Sequence, residues 1–168
     1  MAFSVRSWIP VAVDVFYGSV RDIKLRGYFI DGFHDHEIGF IMDRGLFLEF
    51  IIKNIRRIKM HYVVPLRRNS TLVPDKVKFD SAFMYNGRPI RSSRRSSKLG
   101  YVYMFHDRMM RAEEESSILK DVTSLRKDME YFEDKKNSLG VFAIISDLDR
   151  NPSEIYEQYI CQFFTRFH

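Results

Sequence analysis

The sequence contains a single cysteine, Cys161, among its 168 residues. One cysteine cannot form an intramolecular disulfide, and such low cysteine usage is typical of reducing compartments. No apolar run approaches the roughly 20 residues that a membrane-spanning helix needs. The N-terminus also lacks the charged, apolar and small-residue layout of a signal peptide. We therefore predict a soluble, cytoplasmic protein without a membrane partner.

The sequence has no strong excess of charge of either sign. Lys and Arg number 27 and Asp and Glu number 22, which gives a net charge of +5. This moderate basic excess is compatible with a polyanionic partner but does not require one. The length is typical of one domain, and a hydrophobic content of 45% is enough for a core.

The basic residues are concentrated in the middle third of the chain, where Ser and Tyr are interspersed among them. Clustered Arg and Lys with hydroxyl side chains are typical of phosphate binding. The alternative is an ordinary solvated basic surface. The candidate DNA-binding residues of this region are Arg67, Arg68, Arg91, Arg94, Arg95 and Lys98.

The sequence of residues 71–107 is typical of a small β-rich region. Asn86-Gly87 is a strong hairpin signal, because both residues tolerate positive φ. Pro89 lacks an N–H and restricts its strand to a sheet edge. The run Arg91–Lys98 is predicted to be an exposed basic loop. One long charged helix is predicted over 109–136, followed by a buried strand over 139–146 and a helix over 155–168.

Asp43 follows the mostly apolar Gly39-Phe-Ile-Met and precedes Arg44-Gly45 and an apolar run of helical spacing. This order predicts a strand, a tight turn and a helix. A carboxylate at the carboxyl end of a buried strand is placed where α/β folds usually carry their chemistry. The alternative is that Asp43 caps the following helix or pairs with Arg44.

The segment His34-Asp35-His36-Glu37 is the other candidate for a metal site. Alternating His residues on a strand would point to one side, as a zinc or iron site requires. No third and fourth ligands follow at a recognisable spacing, so we interpret the segment as a polar loop.

The chain resembles the DDE-type insertion-sequence transposases, in the insertion sequence 4 branch that carries a β-strand insertion. Asp-Arg-Gly after a hydrophobic strand is similar to the family's second catalytic Asp. Further similar segments follow the family order, and together they cover nearly the whole chain. They are residues 9–22 with Pro-Val and Gly-Ser-Val-Arg-Asp, residues 62–70, residues 140–147, and residues 154–159.

The resemblance implies an α/β fold with a partial ribonuclease-H-like core and a small β-rich insertion. Residues 1–58 would form part of the core, 59–107 the insertion, and 108–168 a helix, the last core strand and the start of the catalytic helix. Asp43 would be a catalytic residue and a ligand of Mg²⁺ or Mn²⁺, and Arg44 would lie close to the DNA. The implied partner is double-stranded DNA at transposon ends, and a homodimer stays open.

The resemblance also implies that the catalytic set is incomplete. The family's Glu follows a Tyr by seven residues on the last helix, and counting from Tyr156 or Tyr159 gives Phe163 or Arg166. The first Asp and the first two strands of the core have no counterpart, so the chain is expected to be truncated at both ends. Because Mg²⁺ needs several oxygen ligands, Asp43 alone would not hold the two ions of such a reaction. An inactive fragment is expected.

Three functional classes therefore stay open. The first is a remnant of a DNA transposase. The second is a non-catalytic DNA-binding protein that uses the basic insertion. The third is an unrelated interaction module in which Asp-Arg-Gly is only a turn.

Overall fold

The computed structural model describes residues 2–3, 10–12, 39–41, 49–57, 59–74 and 76–164. The strands are β1 (Ala2–Phe3), β2 (Pro10–Ala12), β3 (Gly39–Ile41), β4 (His61–Pro65), β5 (Ser81–Tyr85), β6 (Arg88–Ser97), β7 (Gly100–Asp107) and β8 (Val141–Ser146). The helices are α1 (Glu49–Arg57), α2 (Arg108–Thr123), α3 (Met129–Lys135) and α4 (Pro152–Phe164). No helix of the described ranges is long and apolar enough to cross a membrane.

Six of the strands form one mixed sheet in the order β3-β4-β8-β7-β6-β5. The pair β3–β4 is parallel and α1 connects its strands, while the four remaining pairs are antiparallel. β1 and β2 form a separate two-stranded antiparallel pair. The predicted α/β class is confirmed, and strands from all three predicted segments take part in the six-stranded sheet.

The sheet carries an apolar cluster on each face. On one face, Ile51, Ile52 and Ile55 of α1 pack with buried residues of β4, β7 and β8. On the other, Ile155, Tyr156 and Tyr159 of α4 pack with residues of β4, β6, β7 and β8. We call these the α1 face and the α4 face. The alternation of side chains along each strand decides which residues belong to which face.

The hairpin predicted at Asn86-Gly87 is confirmed. Asn86 has φ 46° and Gly87 has φ 76°, and β5 and β6 pair on either side of them. Positive φ at both central residues matches the twist of the flanking strands. The strand predicted near residue 62 and the last buried strand are confirmed as β4 and β8.

Two predictions about β6 are wrong. The run Arg91–Lys98 is not an exposed loop, because residues 91–97 are the greater part of an inner strand paired with both β5 and β7. Pro89 does not confine its strand to an edge either. The ladder with β7 begins at Ile90, so the missing N–H of Pro89 costs no bond on that side.

The single long helix predicted over 109–136 is also wrong. The chain forms α2 and α3, which are separated by residues 124–128. Leu125 adopts φ 56°, a left-handed conformation that interrupts a helix, and its side chain is 91% exposed. Neither helix has a buried residue, so no packed apolar stripe holds them as one rod.

Candidate nucleic-acid interface

Strand β6 distributes its arginines over both faces of the sheet. Arg95 lies opposite Val102, which belongs to the α1-face cluster, and Arg91 lies four residues earlier on the same face. Arg94 lies opposite Tyr103, which belongs to the α4-face cluster. The predicted basic run is therefore split, because successive side chains of a strand point to opposite sides.

We define the basic face as the exposed residues Arg56, Arg91, Arg95 and Lys98. Arg56 at the end of α1 donates from Nη1 to the Lys98 carbonyl oxygen over 3.1 Å, which fixes the β6–β7 turn against α1. The Arg91 guanidinium lies 5.0 Å from the centroid of the Phe79 ring, a cation–π distance. None of these four side chains forms an ion pair with a described carboxylate. Their charge is therefore available to an external anion.

Buried contacts hold the turn of the basic face in place. The Tyr62 hydroxyl donates to the Leu99 carbonyl oxygen. Burial and, to a smaller extent, the charge of Asp147 raise the pKa of Tyr62 to about 12 against the opposing effect of Arg56. Asp147 in turn accepts from Tyr62 N over 3.0 Å and contacts His61 Nδ1 at 2.8 Å. Tyr62 is therefore uncharged at neutral pH and donates a hydrogen bond, which holds the β6–β7 turn to β4.

Two of the predicted DNA-binding arginines are committed to intramolecular bonds. Arg68 donates from Nε to the Val141 carbonyl oxygen over 3.1 Å and pairs with Glu114, which also accepts from Gly140 N over 2.8 Å. These bonds join the end of β4 to α2 and to the start of β8.

Arg94 is the second of these arginines. It pairs with Asp149, and its guanidinium lies 5.2 Å from the centroid of the Tyr101 ring. Arg67, in contrast, is exposed just after β4 and forms no ion pair with any carboxylate in the described ranges. Arg67 therefore keeps its charge available, while Arg68 and Arg94 first have to break internal bonds.

Asp43 and Arg44 lie outside the described residues, so the structure does not place the predicted catalytic position. The strand that leads toward it ends at Ile41, which lies beside Val63 of β4. Within the described ranges, no three His, Cys, Asp or Glu side chains are grouped so that they could hold a metal ion. His34 and Glu37 are also outside these ranges.

A buried carboxylate that sequence reasoning missed lies at the start of α2. Asp107 is 3% exposed and caps the helix by accepting from Met109 N over 2.9 Å. Its other oxygen lies 3.3 Å from Arg88 Nη1 and accepts from the Tyr156 hydroxyl over 3.3 Å. Burial and, to a smaller extent, the neighbouring Asp107 raise the pKa of Tyr156 to about 12. An Asp directly before a helical run was the available signal.

A second buried hydroxyl orders the segment that precedes α4. The Tyr103 hydroxyl donates to the Leu148 carbonyl oxygen over 2.7 Å and accepts from Arg150 N over 3.0 Å. The cleft beside this segment has a volume of about 620 Å³ and is lined by both acidic and basic side chains, including Arg94, Asp149 and Glu154. Because its charges largely compensate one another, the basic face is the better candidate for binding a polyanion.

Comparisons with known proteins found no match to this chain among protein-family models, curated proteins or solved structures.

Proposed function

We propose that this chain binds double-stranded DNA through its basic face and that it derives from a DDE-type insertion-sequence transposase. The observation that carries the binding is the basic face itself. Cationic side chains of α1 and β6 lie on the α1 face, the adjoining β6–β7 turn adds the exposed Lys98, and none of them has a described carboxylate partner. Arginine and lysine on a rigid sheet neutralise phosphates without reading sequence.

The order of strands supports the relation to transposases. β3 and α1, from the segment proposed as the partial ribonuclease-H-like core, form a parallel unit with β4, the first strand of the segment 59–107, and in the sequence Asp43-Arg44-Gly45 falls between β3 and α1. The antiparallel strands β5, β6 and β7 come between this unit and β8 in sequence, where the family has its β insertion. Because the order of strands fits them, we include the partial core and its insertion in the proposal.

The chemistry of the intact family would need Mg²⁺ or Mn²⁺ held by several carboxylates. Asp43 is the one candidate ligand in the sequence, and it lies outside the described residues. We therefore assign binding to the chain and derive no cleavage step for it. The transposase relation is one of descent, and the alternative is a DNA-binding protein without such ancestry.

Fluorescence anisotropy with a labelled DNA duplex over a range of salt concentrations tests the binding. We expect the double variant Arg91→Ala/Arg95→Ala to bind more weakly and to reduce the slope of log K against log salt by about 1.8, since each lost phosphate contact removes about 0.9. The matched control is Arg126→Ala/Lys120→Ala, which removes the same charge from exposed positions near the end of α2. Equal losses in both double variants, or no binding by the parent chain, would contradict the proposal.

Asp43→Ala separates binding from catalysis. We expect this variant to bind the duplex as tightly as the parent chain, because binding depends on the basic face. A supercoiled plasmid incubated with Mn²⁺ reports strand cleavage in the same preparations. Nicking that disappears with Asp43→Ala would add catalysis to binding, whereas binding without nicking leaves the non-catalytic function.

A further inference from the structure

His106 of β7 lies directly opposite Arg91 on the α1 face. Its ring centroid is 5.8 Å from that of Phe79, the same ring on which the Arg91 guanidinium lies. The side chain is partly exposed, and its Nδ1 atom is buried without a hydrogen-bond partner in the described structure. An imidazole in this position lies beside Arg91 of the basic face.

The surroundings of His106 are strongly cationic. Arg91 faces it from β6, and Arg108 and Arg111 approach from α2. The adjacent carboxylate, Asp107, is already bonded to Arg88 and Tyr156. Val141, the residue opposite His106 on β8, carries no charge. The charges of Arg68 and Glu114 neutralise each other, because these two side chains form an ion pair. The charge near the ring is therefore compensated only in small part.

Ser93 adds a second buried polar atom beside this ring. It is 3% exposed, lies between Arg91 and Arg95 on the same face, and its Oγ has no hydrogen-bond partner among the described residues. Ser93 pairs with Met104, so it is diagonal to His106, and such neighbours are about 7–8 Å apart. Residues with this spacing are close enough for one phosphate group to form a hydrogen bond with each side chain.

We infer that Arg91, Ser93 and His106 form one phosphate-binding subsite within the basic face, in which His106 supplies a positive charge that depends on pH. Burying a hydroxyl or an imidazole group without a hydrogen-bond partner costs free energy, and a bound anion that supplies the partner removes this cost. The Phe79 ring packs against the His106 ring, so this aromatic side chain moves aside when the anion enters. The inference rests on the proposed function for the source of the phosphate, a DNA backbone, and free phosphate shares the same chemistry.

Coupling between anion binding and proton uptake at His106 distinguishes this subsite from a surface that carries only arginine and lysine. Burial lowers the pKa of His106 below its usual 6.5, and Arg91 and Arg111 lower it further. A phosphate between the ring and Arg91 offsets these effects and favours the protonated imidazole. Anion binding therefore takes up a proton, and affinity rises as pH falls. Once the free imidazole is fully neutral, linkage gives up to a tenfold change in the binding constant per pH unit.

The test is an NMR titration of the histidines in the full chain, with chloride and then with inorganic phosphate as the anion. We expect phosphate to raise the pKa of His106. The His61 ring is the internal reference, because it contacts Asp147 and its chemical shift should not respond to phosphate. Arg91→Ala should abolish the response of His106, and Ser93→Ala should weaken it. An unchanged His106 titration would overturn the inference and favour an ordinary buried water.

Anisotropy with the DNA duplex at pH 6.5 and about pH 8 distinguishes the sources of the phosphate. Binding that strengthens at the lower pH in the parent chain, but not in His106→Gln, supports the subsite on DNA. A His106 response to phosphate without any DNA binding keeps the subsite and overturns the proposed function. DNA binding with the same pH dependence in His106→Gln, and no response to phosphate, keeps the function and overturns the subsite.

Discussion

Gly100, the first residue of β7, shows how strongly one position can be constrained. Its φ of +122° is a conformation that side chains rarely adopt, and a Cβ atom there would collide with the Ser146 carbonyl group. The Tyr62 hydroxyl would also be 3.0 Å from that atom. The close approach lets the β6–β7 turn pack against β8, which in turn positions Lys98 beside Arg56.

We expect Gly100→Ala to destabilise the protein by about 2–4 kcal/mol, the sum of backbone strain and an overpacked contact. Gly87→Ala is the matched control, because Gly87 also has positive φ but no atom lies within 4 Å of the position that a Cβ would take. That control should cost only about 1 kcal/mol of strain. Urea denaturation of both variants measures the difference, and equal losses would show that the Ser146 contact is relieved without cost.

At the scale of the elements, α2 depends on its first turn. It buries no residue of its own, and its hydrophobic residues do not form one stripe. The bonds that hold it to the sheet are those of Asp107 at its cap and of Glu114 to Arg68 and Gly140. Polar contacts, together with Met110 packed against the α4-face cluster, therefore hold this helix, whereas fully buried apolar side chains fix α1 and α4.

Asp107→Ala should cost about 3–5 kcal/mol, because it removes the cap and leaves the partly buried Arg88 without its carboxylate. Asp128→Ala removes the exposed cap of α3 and should cost about 1 kcal/mol. Thermal unfolding followed by circular dichroism compares the two variants. A loss of about 1 kcal/mol for both would mean that Arg88 finds another partner or water.

At the scale of the whole molecule, the described sheet ends in β5, which pairs only with β6. Its residues, Ser81–Tyr85, include no charge and no proline, and Met84 is 64% exposed. Edge strands of native proteins usually carry lysine, proline or a bulge that prevents pairing with another chain. This edge has none of these over its five residues.

We expect Met84→Lys to reduce aggregation, because a lysine on the edge opposes strand pairing between molecules. Met129→Lys is the control, since Met129 is 52% exposed at the start of α3 and lies on no strand. Light scattering during mild heating compares the variants with the parent chain. An equal reduction in both would assign the effect to added charge and not to the edge.

The sequence by itself determined the α/β class, the Asn86-Gly87 hairpin, β4 and β8, because φ preferences and apolar runs act locally. It also located the basic segment in the middle third of the chain. Only the tertiary structure decided that Arg91–Ser97 is an inner strand, since pairing with β5 and β7 overrides a local pattern of Arg and Ser. The same pairing placed Arg91 and Arg95 on one face and Arg94 on the other, and it brought His106 beside Arg91. Contacts between residues distant in sequence carry no local signal, so the sequence predicted neither the basic face nor the burial of Asp107 against Arg88 and Tyr156.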